Sequence, residues 1–328
     1  MQAHSGHPAN IGDHQLLILC GGLSPERDVS IRSGRRVAEA LRDSGCQVAV
    51  CDVDAELLPH LAQSRPDCVL PMVHGSAGED GSLADVLLSL RLPYVGSTPD
   101  AARISFDKAV AKALARRWGI PTPDSVALPH SLFRELGAST LLTHLVDRLG
   151  LPMMVKPSKG GSALGASIVH EASDLPSALV GAFAYGDAAL IESYVSGTEV
   201  AVSIIDTDTE PVVLPAVEIV PDGGFYDYNA RYVAGLTEFF APARLSDEVA
   251  SRVAELALEV HTRLGLRDYS RVDLIVADDG SPTFLEVNIA PGMTETSLMP
   301  QALQAAELDL GEVFSALART AITRGLPS

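Results

Sequence analysis

The sequence predicts an α/β protein, with an open parallel sheet in its first third and a two-part, hairpin-bearing unit after it. Three observations predict this. Strand-like and helix-like segments alternate up to about residue 106, Pro121-Thr122-Pro123 breaks the chain after a helical stretch, and two β-branched hairpin patterns follow. Domain limits are expected at 1–106, 107–196 and 197–328.

The elements follow in order. Residues 16–19 are an apolar strand. Ser24-Pro25-Glu26 has the cap, the first-position proline and the early acid of a helix start, and Val29, Val37, Ala38 and Leu41 give that helix its apolar side. Further strands are expected at 48–53, 68–73 and 93–95, with a helix at 82–90. Open parallel sheets bind ligands at the carboxyl ends of their strands, and Glu26 and His74 each come just after such an end. A helix over 107–118 leads to the proline break. The second part has strands at 151–155 and 166–169 around a glycine-rich loop, a helix at 173–184 and a strand at 188–191. The third has strands at 199–205 and 212–220, a long loop, a helix at 247–264, a hairpin and a final helix. Within the long loop, residues 223–235 hold three glycines and three tyrosines, and are expected to stand open until a ligand closes them.

Composition narrows the function. A formal net charge of -18 repels nucleic acid and anionic membranes alike, so neither is an expected partner. No apolar run is long enough to span a bilayer, and residues 1–14 read as a polar, frayed tail rather than a secretion signal. Cys20, Cys46, Cys51 and Cys68 lie in or beside apolar runs without metal-type spacing. They are expected as buried free thiols in the reducing cytoplasm.

The hairpin carries the chemistry. Arg271-Val272-Asp273-Leu274-Ile275-Val276 and Pro282-Thr283-Phe284-Leu285-Glu286-Val287-Asn288 flank Asp279-Gly280, a strong two-residue turn signal. Counting outward from that turn sets Asp273 opposite Glu286 and Arg271 opposite Asn288, all four on one face. Facing carboxylates repel unless a cation sits between them, and two carboxylates with an amide are hard oxygen donors of the kind Mg²⁺ accepts. A solvated polar face is the plain alternative. Upstream, Lys156-Pro157-Ser158-Lys159-Gly160-Gly161-Ser162-Ala163-Leu164-Gly165 joins two strands. Its glycines let backbone N–H groups approach phosphate. It lacks the ending of a Walker loop and the helix-opening G-x-G-x-x-G of a dinucleotide site. Only four of the 24 basic residues are lysine (Lys108, Lys112, Lys156, Lys159), all in this central segment. Lys112 is expected on the exposed side of its helix.

Seven stretches in order carry a resemblance. They are residues 19–30, His74-Gly75-Ser76-Ala77-Gly78-Glu79-Asp80-Gly81, Ser105-Phe106-Asp107-Lys108, the glycine-rich loop, residues 192–199, residues 225–232 and Pro291-Gly292-Met293-Thr294-Glu295-Thr296-Ser297-Leu298. Together the chain resembles the D-alanine–D-alanine ligase family of the ATP-grasp superfamily. The resemblance implies an ATP-grasp fold behind the N-terminal sheet and joining of two D-alanines through an acyl phosphate, for peptidoglycan precursors. It implies ATP and two Mg²⁺ ions (Mn²⁺ being possible), and a homodimer as the usual state.

Roles follow by resemblance, residue by residue. Lys108, Lys156 and Gly161 would contact the nucleotide, and Arg231 could reach its γ-phosphate. Glu192 would read the adenine amino group, Glu199 the ribose, and the backbone of Ser193, Tyr194 and Val195 would face the base. Asp273, Glu286 and Asn288 would hold the metals. Glu26 would take the first substrate's ammonium, with His74 nearby, and would join Ser162 and Tyr232 in a hydrogen-bonded set. Arg271 and the Gly292 N–H would stabilise the oxyanion, and Ser297 with the Leu298 N–H would take the acceptor's carboxylate. The chain departs from the family pattern at Arg231, where lysine is usual, and at Asn229, Ala163 and Ile289-Ala290. These departures leave open a dipeptide ligase with altered substrates. A catalytically silent nucleotide-binding regulator and an ATP-grasp ligase of larger metabolites are the other readings. Tyr232 disfavours a D-lactate-joining relative.

Overall fold

The computed structural model describes residues 11–207, 210–233 and 235–325; the side chains of Asn229 and Tyr232 lie outside the described set. Three sheets organise it. In the first, β1 (Gln15–Cys20) runs parallel between β2 (Gln47–Asp52) and β3 (Cys68–Pro71). Alternation along β1 sends Leu17 and Leu19 to one side, against Leu57, Leu61, Leu83 and Leu87. Leu16, Ile18 and Cys20 go to the other, where Val37, Ala38 and Leu41 of helix Arg27–Asp43 meet Phe314, Leu317 and Ala318 of helix Leu310–Arg324. The two helices approach so closely that a Cβ on Gly311 would lie 2.3 Å from the Ala40 carbonyl oxygen.

Three expectations for this part need correction. Ile11–Asp13 is a short 3-10 turn with Ile11 buried in the core, so the expected tail stops short of His14. Residues 93–95 make only a bridge, Val69 with Tyr94, before the chain turns away at Gly96, whose N–H bonds Asp268 at 2.6 Å. The first helix begins at Arg27 rather than Pro25. Ser24 Oγ accepts from the Glu26 N–H at 3.1 Å and the Ser24 carbonyl from the Arg27 N–H, so a turn takes up those residues. This leaves the Glu26 carboxylate uncommitted to capping.

The second sheet is antiparallel, in the order β4 (Ser125–Pro129), β7 (Ala188–Ser193), β5 (Met153–Pro157), β6 (Ser167–Val169). The glycine-rich loop joins β5 to β6. The third sheet contains β8 (Thr198–Asp206), β9 (Val212–Val213), β10 (Val217–Pro221), β11 (Thr237–Phe240), β12 (Asp268–Val276) and β13 (Pro282–Asn288). Its order is β11-β10-β8-β12-β13, with β9 also on β8. The single strand expected at 212–220 is thus two, because Pro215 lacks an N–H for the ladder. The four cysteines are free, three buried and Cys51 partly so. Among the described residues no helix is long and apolar enough to cross a membrane.

The β12–β13 register sets the site. Arg271 pairs with Asn288 and Asp273 with Glu286, yet nearer the turn the pairing is Leu274 with Phe284 and Val276 with Pro282. The turn holds three residues, not two: the Gly280 N–H bonds the Ala277 carbonyl, and Gly280 has φ +77. That is a three-residue hairpin loop closed by a left-handed glycine. A β-bulge after Asp273 then restores the register. Without the bulge, Leu285 would face Asp273.

The segment expected to stand open is folded where described. Tyr228–Tyr232 is a short helix, Tyr226 is buried and edge-on to Phe239 at 6.1 Å, and Thr237 Oγ1 donates to the Ala230 carbonyl at 2.7 Å. The aromatic residues that give the stretch its loop-like composition are what seat it on β11.

Candidate active site

Two cavities meet where the three sheets converge. The larger, about 440 Å³, lies between the second and third sheets; the smaller, about 70 Å³, lies between the third sheet and the N-terminal unit. Lys108, Gly160, Gly161, Tyr226, Arg231 and Glu286 line both, so the junction between the cavities is walled by cations, open backbone and one carboxylate. Every site residue expected from the sequence lines one cavity or the other except Tyr232, whose side chain lies outside the described residues.

The larger cavity is shaped for a flat ring and an anion. Met154, Tyr194 and Val195 supply an apolar slot, and Ser193, Glu199 and Ala163 lie around it. Glu192 is buried between two ammonium groups, with Lys156 Nζ at 2.7 Å from Oε1 and Lys112 Nζ at 2.9 Å from Oε2. Burial alone would raise its pKa, but Lys156 and Lys112 overcome that and hold it below the ordinary value. Lys112 is therefore not on an exposed helix side; it is fully buried. Sequence reading also passes over Glu218, whose carboxylate takes the Arg244 fork at 2.6 and 3.0 Å on the cavity wall. Burial raises the pKa of Glu199 to about 7.

Ser162 and Ala163 hold positive φ at 53° and 54°, a left-handed backbone that non-glycine residues adopt at a cost. That turn sends Ser162 Oγ to donate a hydrogen bond to Glu26 Oε1, linking the glycine-rich loop to the N-terminal unit. Gly75, at φ +79, brings backbone against the same carboxylate: a Cβ there would lie 3.5 Å from Glu26 Oε2 and 2.8 Å from Ser24.

On the hairpin face Arg271 grips Asp273 with a two-bond fork, 2.7 Å for each bond, and both are buried. Glu286 has Lys108 Nζ at 3.6 Å and Lys156 Nζ at 3.9 Å. Burial opposes its charge, yet these two lysines bring its pKa down to about 2. Asn288 Oδ1 accepts from the Ala290 N–H at 2.8 Å. Arg231 stacks over Tyr226, 4.3 Å from the ring centre, and its Nε donates to the Tyr226 carbonyl at 3.3 Å.

The smaller cavity is polar and tightly built. Ser33 Oγ accepts from the Met293 N–H at 2.9 Å and Arg36 donates to the Thr294 carbonyl at 2.6 Å, so the first helix fixes the 290–297 loop. Ser297 Oγ sits 2.8 Å from Thr294 Oγ1, and a Cβ on Gly292 would intrude to 2.8 Å from it. Leu298 opens helix Leu298–Ala305, whose first N–H groups have no partner within the helix. Burial pulls the His74 pKa down against the pull of Glu26, which favours a neutral ring. Glu79, also missed by sequence reading, accepts from the Gly75 N–H at 2.6 Å, and burial and then Glu26 push its pKa up to about 8.

That value carries a prediction. A carboxyl protonated in the fold adds stability that is complete below its unfolded pKa, near 4.5, and is lost as pH rises through 8. Glu79→Gln is expected to flatten the fall in melting temperature between about pH 5 and 8. Parallel melting profiles for parent and variant would show that Glu79 is ionised in the fold.

Comparison with known proteins agrees with this geometry. Residues 114–319 match the family model described as the D-ala D-ala ligase C-terminus. A D-alanine–D-alanine ligase from Moorella thermoacetica is 38% identical over 308 residues, covering 94% of this chain and 99% of its own. The chain belongs to the D-alanine–D-alanine ligase family. A solved family member from Bacillus anthracis superposes with a TM-score of 0.81 at 32% identity, covering 95% of this chain and 98% of that one. The structure of a Bacillus anthracis ligase complexed with ATP superposes at 0.79 with 29% identity over the same shares. The α/β architecture, with one parallel and two antiparallel sheets, is thus that of the family's ATP-grasp ligases.

Proposed function

We propose that this protein joins two D-alanines at the expense of ATP, releasing ADP and phosphate, to supply a peptidoglycan precursor. The observation that carries the reading is the junction itself. A nucleotide-sized cavity opens onto a small polar one across Lys108, Arg231 and Glu286, so a γ-phosphate and a substrate carboxylate would meet there.

A carboxylate resists an amine because its charge repels the nucleophile. Transfer of the γ-phosphoryl group to one carboxylate oxygen, with ADP leaving, removes that obstacle. The second amino acid's amine then attacks the carbonyl carbon, a proton is lost from nitrogen, and phosphate departs with its oxygen. Glu26 holds the first ammonium, beside a neutral His74 and under the Ser162 hydroxyl. Lys108, Lys156 and Arg231 neutralise the phosphates, while Glu192 and the 193–195 backbone receive the adenine and Glu199 the ribose. Arg271 and the Gly292 N–H face the tetrahedral oxyanion. Ser297 and the Leu298 N–H hold the acceptor's carboxylate. No enzyme nucleophile is required; positioning and charge do the work.

The donor set suits Mg²⁺. Asp273, Glu286 and Asn288 are hard oxygen donors paired across one hairpin face, and the Arg271 fork leaves further lone pairs on the Asp273 carboxylate. Bound there, two Mg²⁺ ions, or Mn²⁺ in their place, would screen the phosphate charge during transfer. The relative complexed with ATP supports ATP as the nucleotide.

The test is phosphate release over a panel of D- and L-amino acids, with mass detection of the product. D-alanyl-D-alanine as the main product is the expected result; phosphate release with no dipeptide, or none at all, would end the reading. Arg231 adds a finer prediction. Arg231→Ala is expected to lower turnover about tenfold or more and Arg231→Lys to retain it, since one ammonium suffices at a phosphate. If Arg231→Lys instead changes which amino acids are joined at unchanged ATP affinity, the arginine selects substrate and the biosynthetic-ligase reading gains.

A further inference from the structure

Lys112 is the one lysine in the nucleotide region that lines neither cavity, yet it is fully buried. It lies four residues after Lys108 in helix Lys108–Arg117, on the same face, and points at the back of the adenine-side wall. Its Nζ is 2.9 Å from Glu192 Oε2 and donates to Thr122 Oγ1 at 3.1 Å. Thr122 Oγ1 in turn donates to the Phe284 carbonyl on β13 at 2.8 Å. One ammonium thus ties strand β7 to the proline break and, through Thr122, to strand β13.

The charges explain why such a group is there. Glu192 is a single carboxylate with an ammonium on each oxygen, Lys156 at 2.7 Å and Lys112 at 2.9 Å. Lys156 also faces Glu286 at 3.9 Å, toward the junction of the two cavities. Were Lys112 absent, Lys156 would be the only counter-ion of a buried carboxylate, and the low dielectric would hold it there. Burying Lys112 is costly, and the cost is offset by its ion pair with Glu192 and its hydrogen bond to Thr122.

We infer that Lys112 is a positioning residue of the nucleotide site: held by Thr122, it anchors Glu192 from behind, fixing that carboxylate toward the base and releasing Lys156 to share its charge with the phosphates. The inference rests on the proposed role of Glu192 at the adenine amino group. It adds to that role a selectivity device: a carboxylate fixed in place accepts from an exocyclic amine and repels the carbonyl oxygen of a purine such as guanine. It also makes nucleotide binding depend on pH. Burial draws the Lys112 pKa down to about 8, against Glu192, with Lys156 adding to the fall and Glu286 opposing it from β13.

The experiment compares Lys112→Met, Lys112→Arg, Thr122→Val and Glu192→Gln in the full chain, with melting curves for each. Readouts are KM for ATP, KM for D-alanine, kcat, the preference for ATP over GTP, and the pH profile of kcat/KM for ATP. Lys112→Met is expected to raise KM for ATP about tenfold and to narrow the ATP preference while leaving KM for D-alanine unchanged. The parent's kcat/KM for ATP should fall above about pH 8, and Lys112→Arg, which keeps its charge, should lose that fall. A Lys112→Met protein that keeps the parent's KM and ATP preference, beside a Glu192→Gln protein that loses both, overturns the inference and spares the reading of Glu192. If Glu192→Gln itself leaves the ATP preference intact, the adenine reading fails and takes the inference with it. Should Lys112→Met not fold, Thr122→Val, which removes one hydroxyl, answers the same question: a KM for ATP raised severalfold supports the anchor, and an unchanged one refutes it.

Discussion

Arg271→Met is expected to lower turnover by about 10²–10³-fold, the usual cost of removing one donor from an oxyanion site. A second loss comes with it. Asp273, buried and held by both bonds of the fork, would be left as an unpaired carboxylate, at a cost to stability of about 3–5 kcal/mol. The stability loss is read in the double variant Arg271→Met with Asp273→Asn, whose melting temperature should recover; its turnover stays low in any case, because Asp273 is also a proposed metal donor. Catalysis is read in Arg271→Lys, which keeps a charge beside Asp273 without the fork: parent-like turnover there would show that Arg271 acts only as a buried counter-ion.

Glu286→Gln is the second large effect, with a loss of turnover on the order of 10²-fold or more. Glutamine has nearly the same shape, so the fold should hold, but Lys108 and Lys156 lose the carboxylate that faces them at 3.6 and 3.9 Å. The Mg²⁺ concentration for half-maximal activity should rise. A variant as active as the parent at limiting Mg²⁺ would remove the hairpin as the metal platform.

Much of this site was legible in the sequence because its chemistry is local. The glycine-rich loop sits between two short strands, and the hairpin can be counted outward from Asp279-Gly280. The counting reached the observed pairing of Asp273 with Glu286 through two errors that cancel. The turn is one residue longer than its dipeptide suggests, and a bulge on β13 takes that residue back up. Neither is visible in residue type alone, since the bulge answers to packing on both neighbours of the strand. Lys112 was misread for a different reason. A lysine on a helix is ordinarily solvated, and only the return of β7 past that helix supplies the carboxylate that pays for burying it. The lost strand at 93–95 and the folded segment around Tyr228–Tyr232 fail in the same way: a partner farther along the chain (Asp268 or Phe239) decides a boundary that propensity leaves free. The first helix starts late for a local reason, the Ser24 Oγ that takes the Glu26 N–H into a turn.

The helix Leu310–Arg324 packs on the first sheet beside helix Arg27–Asp43, and Arg324 clasps Asp268 at 2.7 and 2.9 Å where Gly96 is also held. The outer side of the first helix and the adjoining face of β3 are therefore covered by residues that leave the ribosome long after the elements they cover. During synthesis the N-terminal unit can pair its three strands and lay helix Arg27–Asp43 on β1, but Leu70 and the far side of that helix wait unshielded until helix Leu310–Arg324 arrives. Maturation is then governed by a closure of very high sequence separation, and the growing chain exposes a sticky face for most of its translation. Loosening that last helix would lower the yield of soluble enzyme more than its specific activity, because the molecules that do finish have a complete site.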